Sequence, residues 1–301
     1  MNAHAKIPSA STTLAARAIV VSLSISQWSG RRLDRKITDE VNQAHNAASD
    51  AGRYNKLLLP KDALEQVQKV VSETRTGFLE RTLPWMDGGS RIMNAGAFLA
   101  HSAWMRGQQS KFSAAVEAFL TEYPSHVHAA SKRLNGMFDP DDYPTVEELR
   151  HKFGMDTRIM PVPSSDDFRV AMSEEQAAFI KADIERNVAA ATQEAVRDVY
   201  RRVAEVAERM VDRLSKYKPA KRRGEKSEGV FRDSLVENVR DLIMVLPSLN
   251  ITGDPELAAL ADRLRPLAEW DASVLRENDA VRKDVAHQAQ EILDSMAGML
   301  G

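Results

Sequence analysis

The densest group of residues able to do chemistry is Lys216, Lys218, Lys221, Arg222, Arg223 and Lys226, which share one short stretch with a single acid, Glu225. Cations crowded on a loop suit phosphate contacts, each of which weakens as salt rises. The competing reading is a solvated helix-hairpin loop, where lysines near a helix C-terminus offset the dipole. Only Tyr217 offers a ring to stack on a base there. A second basic group, Trp28, Arg31, Arg32, Arg35 and Lys36, is interrupted by Asp34. Its indole could stack on a base or a guanidinium; the alternative is a tryptophan that anchors a turn to the core.

Metal and catalytic chemistry find less support. Asp139, Asp141 and Asp142 lack the spacing, the glycine and the distal glutamate of a calcium loop, and read as a turn. His126 and His128 are two apart, which on a helix points them to different sides; a zinc pair would use four-residue spacing. His101 could approach them, but no carboxylate is placed to complete a set with the three. Phosphate-loop, dinucleotide, nucleophile-elbow and zincin motifs are missing. The acid pairs Glu147-Glu148 and Glu174-Glu175 sit in first turns of helices, where acids favour the dipole. Met155, Met160 and Met172 read as core filler. These residues imply a non-enzymatic protein with no metal and no cofactor.

The elements that would carry these residues are mostly helical. With 301 residues, 43% hydrophobic and 28% charged, the chain is globular in composition, and its net charge is −2. It has no cysteine, hence no disulfide or thiol nucleophile. The longest apolar run, Ala18 to Leu23, is too short to span a bilayer, and Met1 to Thr13 lacks the apolar core of a signal peptide. A cytoplasmic location and no membrane partner are expected. Residues 1–14 read as a disordered tail. Ile19, Val21, Leu23 and Ile25 alternate with Val20 and serines, a strand pattern; Arg158–Val162 and Asp167–Ala171 read as two more strands, giving a three-stranded sheet. Thr38 to Ala51 reads as a short helix. A helix from Pro60 to about Arg81 carries Leu64, Val67, Val71 and Phe78 or Leu79. Another spans about Ala95 to Leu134, with Pro124 interrupting it. Thr145 and Glu148 have capping-box spacing.

From Ser173 to Tyr217 the chain contains no Gly or Pro, enough for one helix of roughly 65 Å. Ser173 and Gln176 form its capping box. Val196, Val199, Val203, Val206 and Met210 alternate steps of three and four, a coiled-coil seam; nearer the start the stripe is Ile180, Ile184 and Val188. A helix over Phe231–Leu246 should end at Pro247. The last starts at Asp254-Pro255 and runs to about Met299, kinked or split at Pro266. The expected fold is therefore mainly α: a small α+β domain over 15–172 with a short three-stranded sheet, then an elongated antiparallel helical bundle over 173–301 with a basic loop at 216–226.

Some motifs resemble those of an uncharacterised family of phage and mobile-element proteins. They are Trp28-Ser29-Gly30-Arg31-Arg32, Asn55-Lys56-Leu57-Leu58-Leu59-Pro60-Lys61, Leu83-Pro84-Trp85, Arg133-Leu134-Asn135-Gly136-Met137-Phe138, Asp142-Tyr143-Pro144, Pro161-Val162-Pro163 and Asp167-Phe168-Arg169-Val170. The resemblance covers roughly residues 18–172. It implies a setting among phage DNA-replication and recombination functions, some beside MoxR-like AAA+ ATPases, and it transfers no catalytic residue. The expectation is an interaction protein of a bacterial host's phage or mobile element. It would act in DNA metabolism by forming a homo-oligomer through the valine seam or by binding a partner such as an AAA+ ATPase. Direct nucleic-acid binding through the basic loop is the alternative, and inhibition of a host defence protein a third reading without a supporting residue.

Overall fold

The structure is a computed structural model that describes residues 10–86, 89–165, 173–220 and 225–298. It is mainly helical, with a small antiparallel sheet and long helices. Among the described residues no helix is long and apolar enough to cross a membrane. The chain forms two compact units that interleave in sequence. One comprises residues 1–22, 78–101 and 158–301; the other comprises 23–77 and 102–157. The sequence reading drew a single boundary at 172/173. It missed the interleaving because the residues before that point that join the first unit come in short pieces.

In the first unit, α1 (Ala10–Ala15) packs on the long helix α6 (Glu174–Lys216). The tail expected over 1–14 is thus helical from Ala10, with Ser11 and Leu14 buried; residues 1–9 lie outside the described part. Strand β1 (Ala18–Ser26) pairs antiparallel with β5 (Arg91–Asn94), Val20 opposite Ile92, and β5 pairs with β4 (Leu83–Pro84). With β6 (Gly154–Pro161) the sheet order is β4-β5-β1-β6. This corrects the three-stranded sheet: β1 and the 158–162 region are strands, and the β4–β5 hairpin was not foreseen. Two to four residues are too few to show a period of two. The expected strand at 167–171 lies outside the described residues.

One apolar cluster runs through this unit. It joins Leu14, Val20, Leu83, Trp85 and Ile92 to Val199, Val203 and Met210 of α6, Leu242 and Leu246 of α7 (Ser234–Leu249), Leu260 and Leu264 of α8 (Pro255–Ala268), and Val285 and Ile292 of α10 (Asp279–Met296). Helix α6 begins as expected, Ser173 accepting from the Gln176 N–H and Gln176 reaching back. Helix α7 does not end at Pro247 but runs to Leu249. The run expected from Pro255 to Met299 is three helices, α8, α9 (Ala272–Glu277) and α10, and Pro266 lies inside α8. The breaks fall at Glu269–Asp271 and at Asn278, whose side chain accepts from the Ala280 and Val281 N–H groups. Neither α7 nor α8 ends at its proline, and at the second break the cap residue Asn278 starts α10.

The second unit is built on α3 (Glu65–Glu80) and α4 (Phe98–Leu134), most of whose residues it contains. Leu64, Val67 and Val71 are buried, as the stripe predicts, and so are Phe112, Val116, Phe119, Leu120 and Tyr123. Helix α4 passes straight through Pro124, contrary to expectation. Proline in a helix costs about 3 kcal/mol. Burying a large apolar side chain returns about 1.5–3 kcal/mol, and the five buried residues before Pro124 and Ala130 after it outweigh that cost. Helix α2 (Arg35–Ala44) starts three residues earlier than foreseen, capped by Asp34. The short strands β2 (Arg31–Leu33) and β3 (Asn55–Leu57) pair antiparallel. Helix α5 (Val146–Arg150) carries both halves of the expected capping box.

Candidate functional site

The basic loop is closed at its neck and partly neutralised. Lys218 and Glu228 exchange both backbone hydrogen bonds at 3.0 Å, and their side chains form an ion pair at 3.2 Å. Lys216 pairs with Asp212 one turn back on α6, and that contact holds the Asp212 carboxyl below its ordinary range. Gly229 completes the neck at φ +63, where a Cβ would fall onto the carbonyl oxygen of Lys216. Tyr217, the one ring considered for base stacking, is buried instead: it meets Phe231 edge-on at 5.2 Å, under the guanidinium of Arg282 at 5.1 Å. Lys226 is exposed. Lys221, Arg222 and Arg223 lie outside the described residues.

The second basic group belongs to the other unit. Arg31 and Arg32 sit on β2, both exposed, opposite Leu57 and Lys56. Trp28 packs on Phe119 and edge-on against Tyr123 at 5.9 Å, so it anchors the turn. Beneath Arg32 lies a group that periodicity could not reveal. The Lys56 ammonium is buried, with Asp142 at 2.6 Å, Asp34 at 3.3 Å and the Met137 carbonyl at 2.8 Å. Three donors meet three acceptors. Burial alone would lower the Lys56 pKa, but the Asp142 and Asp34 contacts outweigh it and raise it. The Asp34 carboxylate is held low, first by the Ile37 N–H it caps and then by Lys56. A lysine kept protonated by two carboxylates is a tie and not a nucleophile. The Asp139–Asp142 segment, read as a turn, is a single turn of 3-10 helix over Pro140–Asp142, with Asp139 capping the Asp141 N–H and Asp142 turned to Lys56.

Two guanidiniums close the C-terminal end of α3. Arg91 donates to the Leu79 and Thr82 carbonyls and to Thr82 Oγ1; Arg202 donates to the Glu80 and Thr82 carbonyls at 2.9 Å and to Asp198. These are carbonyls that a helix end leaves without partners. Burial, and next the neighbouring Arg202 charge, bring the Arg91 pKa down to about 10. His101 is buried against Phe78 at 5.7 Å, and burial together with Arg81 lowers its pKa. His126 lies 3.7 Å from Glu122. Among the described residues no group of three or more His, Cys, Asp and Glu is arranged to hold a metal ion.

The valine seam is filled from within the chain. Val199, Val203 and Met210 are buried and Val196 and Val206 pack partly against the same core, where α6 meets α10 and α7. No family model, curated protein or solved structure matches this chain. The functional reading therefore rests on its own surfaces. One of these went unnoticed in the sequence: the buried residues of α6 begin only at Val188, and Phe179 ahead of them is 70% exposed. Its signal was an aromatic off the Ile180–Ile184–Val188 stripe.

Proposed function

We propose that this is a non-enzymatic interaction protein whose presented element is the first third of α6. The observation that carries the reading is the exposed aromatic on a helix segment without a buried residue. A large apolar group held on a preformed helix is what helix-mediated recognition uses. The saturated Lys56 and Arg202 clusters support the same reading, because their charges are spent on holding the fold. In this proposal α6, α7, α8 and α10 form an antiparallel bundle. The protein is cytoplasmic and belongs to a phage or mobile element, and it works in DNA metabolism with a partner such as an AAA+ ATPase.

The test is capture with the tagged full-length chain during infection, with and without nuclease, beside a Phe179→Glu variant. A protein recovered in nuclease-treated samples by the wild type and lost by the variant is the expected result. Recovery that vanishes with nuclease, or that is equal for both chains, refutes it. The alternative is direct nucleic-acid binding, favoured by the exposure of Arg31, Arg32 and Lys226. It predicts salt-sensitive binding that the five-fold alanine variant at Lys216, Lys218, Lys221, Arg222 and Arg223 loses, and equal binding by both chains excludes a role for the loop.

A further inference from the structure

One heptad row of α6 outlasts the helices that cover it. Counting back by sevens from Met210 reaches Val203, Val196, Ala189 and Ala182. Met210 and Val203 are fully buried and Val196 is half-buried, whereas Ala189 and Ala182 are exposed. The seam's other row, back from Val206 and Val199, passes through Thr192, Glu185 and Ala178; Phe179 lies beside it, three residues before Ala182 and next to that alanine on the helix surface. Helix α6 has 43 residues and α10, against which it packs most, has 18. These correspond to about 65 Å and about 27 Å, so α10 spans less than half of α6, which α1 and α7 also meet, and the Ala189–Ala182 row is left exposed. One flank of this segment is already tied down. Glu185, three residues after Ala182 and about 60° around the helix from it on the side away from Phe179, accepts from the Ser11 N–H at 3.2 Å and from Ser165 Oγ at 2.7 Å.

Along the open stripe the order is Glu175, Phe179, Ala182, Arg186, all exposed. Acid, aromatic, small, base is its own complement when reversed. Laid antiparallel on a second copy, with the two-fold axis between positions 180 and 181, Phe179 of each chain opposes Ala182 of the other. Glu175 then opposes Arg186, once on each side of the axis. Large against small lets two helices approach to about 8–10 Å, and an isologous contact closes at two copies without propagating. A parallel pair would instead set Glu175 against Glu175 and Arg186 against Arg186. Arg186 donates to Asp183 at 2.7 Å within its own helix, and its side chain remains 65% exposed, free to turn to a facing carboxylate.

We propose that the Glu175–Arg186 face of α6 is a homodimerisation surface whose occupant is the same segment of a second copy, running antiparallel. The proposal rests on the reading of α6 as the presented element. It also moves self-association away from the valine seam, which the fold consumes. A helix pair of this length sits below the ~1,200 Å² of standard interfaces, so the dimer dissociates readily.

Sedimentation equilibrium of the full chain decides it. The wild-type mass should rise from 33.5 kDa at ~1 µM toward twice that value at ~100 µM, as a weak interface predicts. Phe179→Glu should stay monomeric over the same range with an unchanged circular dichroism spectrum. Arg186→Glu alone should weaken the dimer roughly tenfold, since it turns both end pairs repulsive. The swap Glu175→Arg with Arg186→Glu should recover most of that loss. A wild type monomeric throughout, a Phe179→Glu dimer as tight as wild type, or a swap that recovers nothing overturns the proposal. A strict monomer leaves the broader reading standing, because that is judged by nuclease-resistant capture of a different protein.

Discussion

Replacing Lys56 with methionine keeps the length of the side chain and removes the one positive charge between Asp34 and Asp142. Truncating one partner of a buried ion pair costs about 3–5 kcal/mol, because the remaining charge has lost its counter-ion. Here two carboxylates lose their buried counter-ion together, Asp142 keeping Arg32 at 3.5 Å and Asp34 the Ile37 N–H at 3.1 Å, and the Met137 carbonyl also loses its donor. Against that, the Asp34 and Asp142 side chains keep 15% and 11% of their exposure, so water recovers part of the loss. The expected destabilisation is about 2–4 kcal/mol. Urea unfolding measures it, with hydrogen exchange at the Leu58 amide, which donates to the Gly30 carbonyl at 2.9 Å beside the cluster, as the local report. Adding Asp142→Asn should return about 1 kcal/mol by removing a buried charge that only the exposed Arg32 would then face. The pH dependence has a fixed sign. Asp34 is held below its ordinary range, so its contribution is full above about pH 4 and is lost as pH falls through the lowered value. Lys56 is raised, so its contribution is full below about pH 10 and is lost as pH rises through the folded value. Both slopes should flatten in the methionine variant, the acid one only in part because Ile37 still holds Asp34. A Lys56→Met chain within about 0.5 kcal/mol of wild type refutes the cluster as a tie.

Other substitutions probe other devices. Gly229→Ala should cost about 1–3 kcal/mol, from its φ of +63 and the collision with Lys216 O, read by urea unfolding beside Gly107→Ala, which meets nothing. Arg202→Met strips donors from the Glu80 and Thr82 carbonyls and should lower stability by about 1–3 kcal/mol; faster exchange localised at the end of α3 would identify the cause. Pro124→Ala restores a helix N–H within α4 and should stabilise the chain by about 1–2 kcal/mol, shown by a higher urea midpoint at unchanged slope.

What could be read from the sequence was what repeats or caps. The α6 span, the Ser173 and Thr145 capping boxes, the α3 stripe and the existence of strand β1 all declare themselves through spacing or cap chemistry, although β1 buries Val20 as well as Val21 and leaves Ile19 half-buried. The prolines misled because their cost is local and fixed, while the packing that overrides it is tertiary. The β4–β5 hairpin and the β2–β3 pair are too short for a period, and their residues earn a strand only by what they meet across the sheet. The basic residues were all visible as types, but not the acids that would answer them: Glu228 for Lys218, Asp212 for Lys216, Asp142 for Arg32. Lys56 stood beside a leucine run with nothing local to mark it as an ion-pair centre. Phe179 stood out only once the structure showed where burial along α6 begins.

The interleaving of the two units imposes an order on the birth of the molecule. Val20 and the β4–β5 hairpin leave the ribosome long before the α6 residues that share their core. At about 5–20 residues per second, the wait from Val20 to Met210 is roughly 10–40 seconds. The second unit ends at residue 157 and has all its pieces early, so it can close while the first is still waiting. Through that interval Leu14, Val20, Leu83, Trp85 and Ile92 are apolar surface without a cover. They are the segment on which a nascent-chain chaperone has most reason to sit, and a chain cut before α6 would carry them permanently exposed.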